Sequence, residues 1–133
     1  MSSATGVSGA RLVVERHLRE VLGGDGPAGV EDLVSNPIYS HQIRAFRSAF
    51  PDLSVESQQV VAERDLVAVH GVASATHRGM FQGLPSTGRQ WRAPFTAMYR
   101  VSDGRITDFW VTWDLLSIME QLGGVRRSAE ASA

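Results

Sequence analysis

Apolar positions along the chain recur first with a helical period and then with a period of two. Val14, Leu18, Val21 and Leu22 form one stripe and predict a helix over 11–22, stopped by Gly23-Gly24. His17 sits at the edge of that stripe, where a packed or solvated ring is the expected role. Asp25-Gly-Pro-Ala-Gly29 is a turn cluster, with a short turn of helix expected through 30–34. Asn36 reads as an N-cap and Pro37 as the first helical residue, a position that needs no N–H. The helix they open is expected to run to Phe50, before Pro51, with Tyr39, Ile43, Phe46 and Phe50 on one stripe. Arg44, Arg47, Ser48 and His41 fall off the stripe and are expected to face solvent.

From residue 54 onward the alternation is that of strands. Expected strands are 54–62, 66–77, 91–101 and 106–113, with Ser102-Asp-Gly-Arg105 as a hairpin turn. Asp114 is placed to cap a last helix over 115–122, ended by Gly123-Gly124. Three helices, a four-strand meander and a short helix make an α+β pattern, with helices on one face of a curved antiparallel sheet. Such a sheet can curl around the long helix and leave an apolar cone, a ready pocket for one small molecule.

Composition narrows the function classes. The 133 residues suit one domain, expected over 10–124 between flexible tails at 1–9 and 125–133. Thirteen basic against fourteen acidic residues leave a net charge of -1, no footprint for nucleic acid or an anionic membrane. With no cysteine there is no disulfide, thiol nucleophile or Cys-ligated metal. The first ten residues lack the basic start and apolar stretch of a signal peptide, and no apolar run is long enough for a bilayer, so a cytoplasmic location is expected. His70 and His77 alone do not make a metal site, and none is expected. The glycines at 79, 83 and 88 do not match a phosphate-cradling spacing.

Three stretches are distinctive: Phe50-Pro-Asp-Leu53; Thr76-His-Arg-Gly-Met-Phe-Gln-Gly-Leu-Pro-Ser-Thr-Gly-Arg89; and Val101-Ser-Asp-Gly-Arg-Ile-Thr-Asp-Phe-Trp110, followed by Trp113-Asp114 and Gln121-Leu-Gly123. On these the chain, over about residues 10–124, resembles the SnoaL-like polyketide cyclase family. That family lies within the cone-shaped superfamily that also holds ketosteroid isomerase and nuclear transport factor 2. The resemblance implies an NTF2-like fold and a cofactor-free enzyme of secondary metabolism, such as antibiotic biosynthesis. Its substrate would be a small hydrophobic polycyclic or polyene intermediate. Family relatives include hydroxylases, and other members of the superfamily only bind or dimerise, so a hydroxylase and a non-catalytic ligand-binding or dimerisation module stay open as alternatives.

The aldol-type cyclases carry a histidine on the strand before the Ser-Asp-Gly turn and an aspartate on the strand after it. The matching positions are Ala97 and Val111, neither of which can move a proton, so the implied cyclase or isomerase is not of that type. If the resemblance places these positions inward, alternation adds Phe95, Tyr99, Phe109 and Trp113 to the pocket wall. Trp91, and Tyr39, Phe46 and Phe50 from the helix, complete the expected substrate-binding set. Tyr39, Tyr99 and His77 are the candidates for chemistry. The tyrosines are either hydrogen-bond donors to a substrate oxygen or simply packed. His77 is either a proton donor or orienting group at the mouth, or a hydrogen-bonded structural residue. Arg78, Arg89 and Arg92 are expected at a solvated edge, with an anchor for a ligand carboxylate as the alternative. Asp52 is expected only to end the helix region, and Asp114 to cap rather than act as a base. Met98, Trp110 and Thr112 on the outer face predict a homodimer.

Overall fold

Helix α1 (Gly9–His17) buries Val14 and His17, and its last turn widens into a π-helical turn at Leu18–Leu22 that buries Leu18, Val21 and Leu22. The computed structural model describes residues 9–125; the expected tails lie outside the described residues, apart from Gly9, Gly9 being the first residue of α1, and Val125. A 3-10 turn (Pro27–Gly29) leads into the short α2 (Val30–Leu33) and then α3 (Pro37–Ala49). Strands β1 (Ser54–Glu63), β2 (Leu66–Thr76), β3 (Gln90–Ser102) and β4 (Arg105–Trp113) pair antiparallel in chain order, and α4 (Leu115–Leu122) follows. The expected α+β meander is thus the observed one. No helix among the described residues is long and apolar enough to cross a membrane.

Strand β3 shows why the two faces separate. Trp91, Ala93, Phe95, Ala97, Tyr99 and Val101 are buried, while the residues between them are exposed or, at Arg100, half-buried. Period-two alternation puts the first set against the helices and the second on the outer face. Asp114 Oδ1 accepts from the Ser117 N–H at 3.1 Å, the expected cap of α4. The segment 34–36 closes onto the sheet: Val34 bridges Ile106, and the Ser35 N–H donates to the Ile106 carbonyl at 3.0 Å.

Two charged residues depart from expectation. Arg47 is buried, not solvent-facing: its guanidinium donates to the carbonyls of Leu22 (2.8 Å), Leu53 (3.2 Å) and Gly24 (3.3 Å). Carbonyls left over where the π-turn and the loops end need donors, and one planar fork reaches all three. Arg47→Ala is expected to cost about 2 kcal/mol, since hydrogen bonds to charged groups carry more than neutral ones, and urea midpoints of the two proteins measure it. Asp52 does more than end a helix: its carboxylate accepts from the Thr76 N–H and hydroxyl, both at 2.7 Å, and pins the end of β2.

Candidate active site

The inner end of α3 is fixed before any ring is placed. Asn36 Oδ1 caps α3 by accepting from the N–H groups of Ile38 (3.0 Å) and Tyr39 (3.2 Å), while its amide donates to the Thr107 carbonyl on β4 at 3.0 Å. Pinned to β4, the first turn of α3 lays Tyr39 flat on Phe109, centroids 4.5 Å apart and planes 16° from parallel. Phe109 is the cross-strand partner of Tyr99. The Tyr39 and Tyr99 hydroxyls are hydrogen-bonded at 2.8 Å.

A third group, which sequence patterning passed over, completes this cluster. His17 is fully buried, and its Nε2 lies 2.8 Å from the Tyr39 hydroxyl. Its Nδ1 has no partner among the described residues. Burial pulls the imidazole down from the ordinary 6.5 to about 3, so it is neutral at pH 7. Burial, with Tyr99 alongside, pushes the Tyr39 phenol well above its ordinary 10. Burial raises Tyr99 too, against the Tyr39 hydrogen bond. All three groups are therefore uncharged near neutrality and act as hydrogen-bonding groups, not as bases.

Open space lies beside Tyr39. A cleft of about 180 Å³ is lined by Leu22, Tyr39, Gln42, Ile43, Phe46, Val111 and Trp113. A wider opening of about 350 Å³ adjoins it, sharing Phe46, Val111 and Trp113 and adding Phe81, Gln82, Thr112 and Leu115. Phe46 and Trp113 stack at 4.5 Å and 18°, and both rings belong to the walls of both spaces. Tyr39 is the sole titratable side chain among these lining residues. Ala97 and Val111, the positions where the resemblance implies histidine and aspartate, are cross-strand partners on the inner side of the sheet.

The cone is narrower than the sequence suggests. Phe50 packs edge-on against Phe46, Phe81 and Trp91 at 4.8–5.1 Å, and the rings themselves fill much of the interior. Of the expected substrate-binding residues, Phe46, Val111 and Trp113 line the clefts. Phe50, Trp91, Phe95 and Ala97 are buried behind them, and Phe109 supports Tyr39. His77 lines neither cleft. It is fully buried beside Phe50; its Nδ1 lies 2.9 Å from the Thr87 hydroxyl and 3.2 Å from the Thr87 N–H, which anchors the 77–89 loop. His41 and His70 are exposed. Arg78, Arg89 and Arg92 are exposed as well, with Arg92 3.6 Å from Glu56. His17 carried one signal: it lies three residues after Val14 and four before Val21, a polar residue inside an apolar stripe.

The model of the SnoaL-like polyketide cyclase family matches residues 12–122. Among solved structures, TsrD from Streptomyces laurentii is 21% identical with a TM-score of 0.75, covering 90% of this chain and 100% of its own. AclR, a candidate hydroxylase from Streptomyces galilaeus, is 29% identical with a TM-score of 0.61, covering 70% of each chain. IdmH, a candidate polyketide cyclase from Streptomyces antibioticus, is 36% identical with a TM-score of 0.55 over 64% of this chain and 61% of its own. No curated protein matches the chain.

Proposed function

Because the chain belongs to the SnoaL-like polyketide cyclase family, we propose that it is a tailoring enzyme of secondary metabolism that cyclises or isomerises a hydrophobic polyketide-like intermediate without a cofactor. The observation that carries this reading is the neutral His17–Tyr39–Tyr99 chain beside an apolar, ring-lined cleft. Tyr39 donates to a substrate oxygen as negative charge develops on it, and Tyr99 holds Tyr39 in place. The rings hold the substrate in its reactive conformer, an effect worth up to roughly 7–11 kcal/mol of barrier, so an acid–base pair at positions 97 and 111 is not required. The first cleft is smaller than the several hundred Å³ usual for a drug-sized ligand. One ring of the substrate sits against Tyr39, and the remainder extends past Phe46 and Trp113 into the adjoining opening. His77 enters this reading only as support for the loop that carries Phe81.

The test uses a panel of aromatic and polyene polyketide intermediates under isotope-labelled oxygen gas, with no added cofactor. A ring-closed or isomerised product without the label supports the proposal. Label in the product supports a hydroxylase instead, the reading that the likeness to AclR favours. Tight binding with no rate above background supports a binding module.

The reading extends to assembly as a homodimer through the outer face of the sheet. Val61, Ala68, Met98 and Trp110 are successive cross-strand partners and make one apolar row across all four strands. Trp110 is 50% exposed and Val61 67%. A second copy covers this row. Trp110→Lys is expected to turn a dimer into a monomer at micromolar concentration, read by sedimentation velocity; a monomeric parent protein counts against the dimer.

A further inference from the structure

The hydrogen-bonded cluster holds more protons than its two bonds consume. Each phenol carries one proton and can accept on its oxygen, and a neutral imidazole carries one proton and one lone pair. Three protons are therefore shared between the His17–Tyr39 and Tyr39–Tyr99 contacts, each 2.8 Å long. One proton is left over in every arrangement, and His17 decides which.

Three arrangements exist. If His17 carries its proton on Nδ1, then Nε2 accepts from Tyr39 and Tyr39 accepts from Tyr99. A buried N–H is then left at Nδ1, where the described residues offer no partner. If instead Nε2 donates to Tyr39 and Tyr39 donates on to Tyr99, the spare proton belongs to Tyr99, which is fully buried. In the third, His17 Nε2–H and the Tyr99 hydroxyl both donate to the Tyr39 oxygen. The spare proton is then that of Tyr39, which lines the cleft. Only the third puts the extra donor on a residue that lines the cleft, and, like the second, it leaves at Nδ1 a bare lone pair instead of an orphaned N–H. Orphaned buried N–H groups are rarer in proteins than under-used acceptors.

We propose that His17 is a positioning residue: as the Nε2–H tautomer it joins Tyr99 in donating to the Tyr39 oxygen and so frees the Tyr39 proton for an oxyanion in the cleft. This rests on the reading of Tyr39 as the donor given above and specifies the ligand atom it serves, an enolate- or phenolate-like oxygen on a flat ring. Two donors converging on the Tyr39 oxygen polarise its O–H further, so the three groups act as a unit. The same arithmetic makes the effect of His17 depend on its proton and not on its ring.

Two measurements test this. Nitrogen-15 NMR of the labelled protein at neutral pH is expected to show His17 protonated at Nε2 and bare at Nδ1. A proton on Nδ1 overturns the proposal without any variant or ligand. The second uses 2-naphthol as the probe, its ionisation followed by absorbance as it binds. The protein is expected to favour the bound naphtholate. His17→Leu is expected to weaken naphtholate binding by about tenfold, the loss of one hydrogen bond to a charged network. His17→Gln, whose amide places a donor near the Nε2 position, is expected to restore most of it. Tyr39→Phe separates the two levels of the argument. If naphthol does not bind, or binds Tyr39→Phe and the parent alike, the donor role of Tyr39 falls and this inference with it. If binding depends on Tyr39 while His17→Leu matches the parent, or His17→Gln behaves like His17→Leu, the role of His17 alone is overturned.

Discussion

Tyr39→Phe is expected to lower kcat by about 100-fold, in the range seen when one donor to a developing oxyanion is removed. The substitution keeps the ring, so the stack on Phe109 at 4.5 Å and the apolar wall of the cleft persist. Binding of the unreacted substrate therefore changes little, and the loss is expected in kcat with KM nearly constant. The measurement is steady-state turnover on whichever polyketide intermediate the parent protein converts. Tyr99→Phe removes a group that acts through Tyr39, and its expected loss is smaller, about tenfold. A Tyr39→Phe protein that keeps full turnover removes the proposed donor from the mechanism. Thermal melts guard the interpretation. Without the hydroxyl, His17 Nε2 and the Tyr99 hydroxyl lose their common partner, which costs about 1–3 kcal/mol of stability. A protein that has merely unfolded would lose its melt along with its rate.

The parts of this molecule that were legible in the sequence are those governed by neighbours along the chain. The hairpin between β3 and β4 announces itself through Asp103 and Gly104, both at positive φ (52° and 76°), a conformation that Asp and Gly tolerate. Asn36 and Pro37 mark the start of α3 because the cap needs only residues two and three ahead. Alternation grouped Ala93, Phe95, Ala97 and Tyr99 on one face of β3, the resemblance implied that this face is the inner one, and the structure buries all four. What patterning missed depends on partners far away in sequence. Arg47 looked like a solvated charge because a polarity stripe does not record the unpaired carbonyls of Leu22 and Gly24, which belong to another segment. His17 looked marginal because its partner is 22 residues away. Parity also told which rings share a face without telling how much room they leave. The volume of the cleft is set by how Phe46, Phe50, Phe81 and Trp113 tilt against one another, and no local rule fixes that.

The protein is expected to lose stability as the pH falls below about 6.5, through His17. In the unfolded chain this histidine takes up a proton near 6.5; in the folded protein, burial delays that to about 3. Between these two values the unfolded state binds one more proton than the native state, so acid favours unfolding. The stabilisation that a neutral His17 provides is fully present above 6.5 and is withdrawn by about 1.4 kcal/mol for each further unit of pH, down to the folded value. Between about pH 8 and about pH 5 the loss is roughly 2 kcal/mol, before most carboxylates begin to titrate. Urea midpoints taken across that window measure it. His17→Gln supplies the control: it has no titrating group at this position, so its midpoint is expected to move less over the same interval. The test also bears on chemistry, because a protonated His17 would place a positive charge against Tyr39 in an apolar interior. A midpoint equally sensitive to acid in both proteins would mean that His17 is not held neutral by its burial, and the uncharged network on which the Tyr39 donor depends would lose its basis.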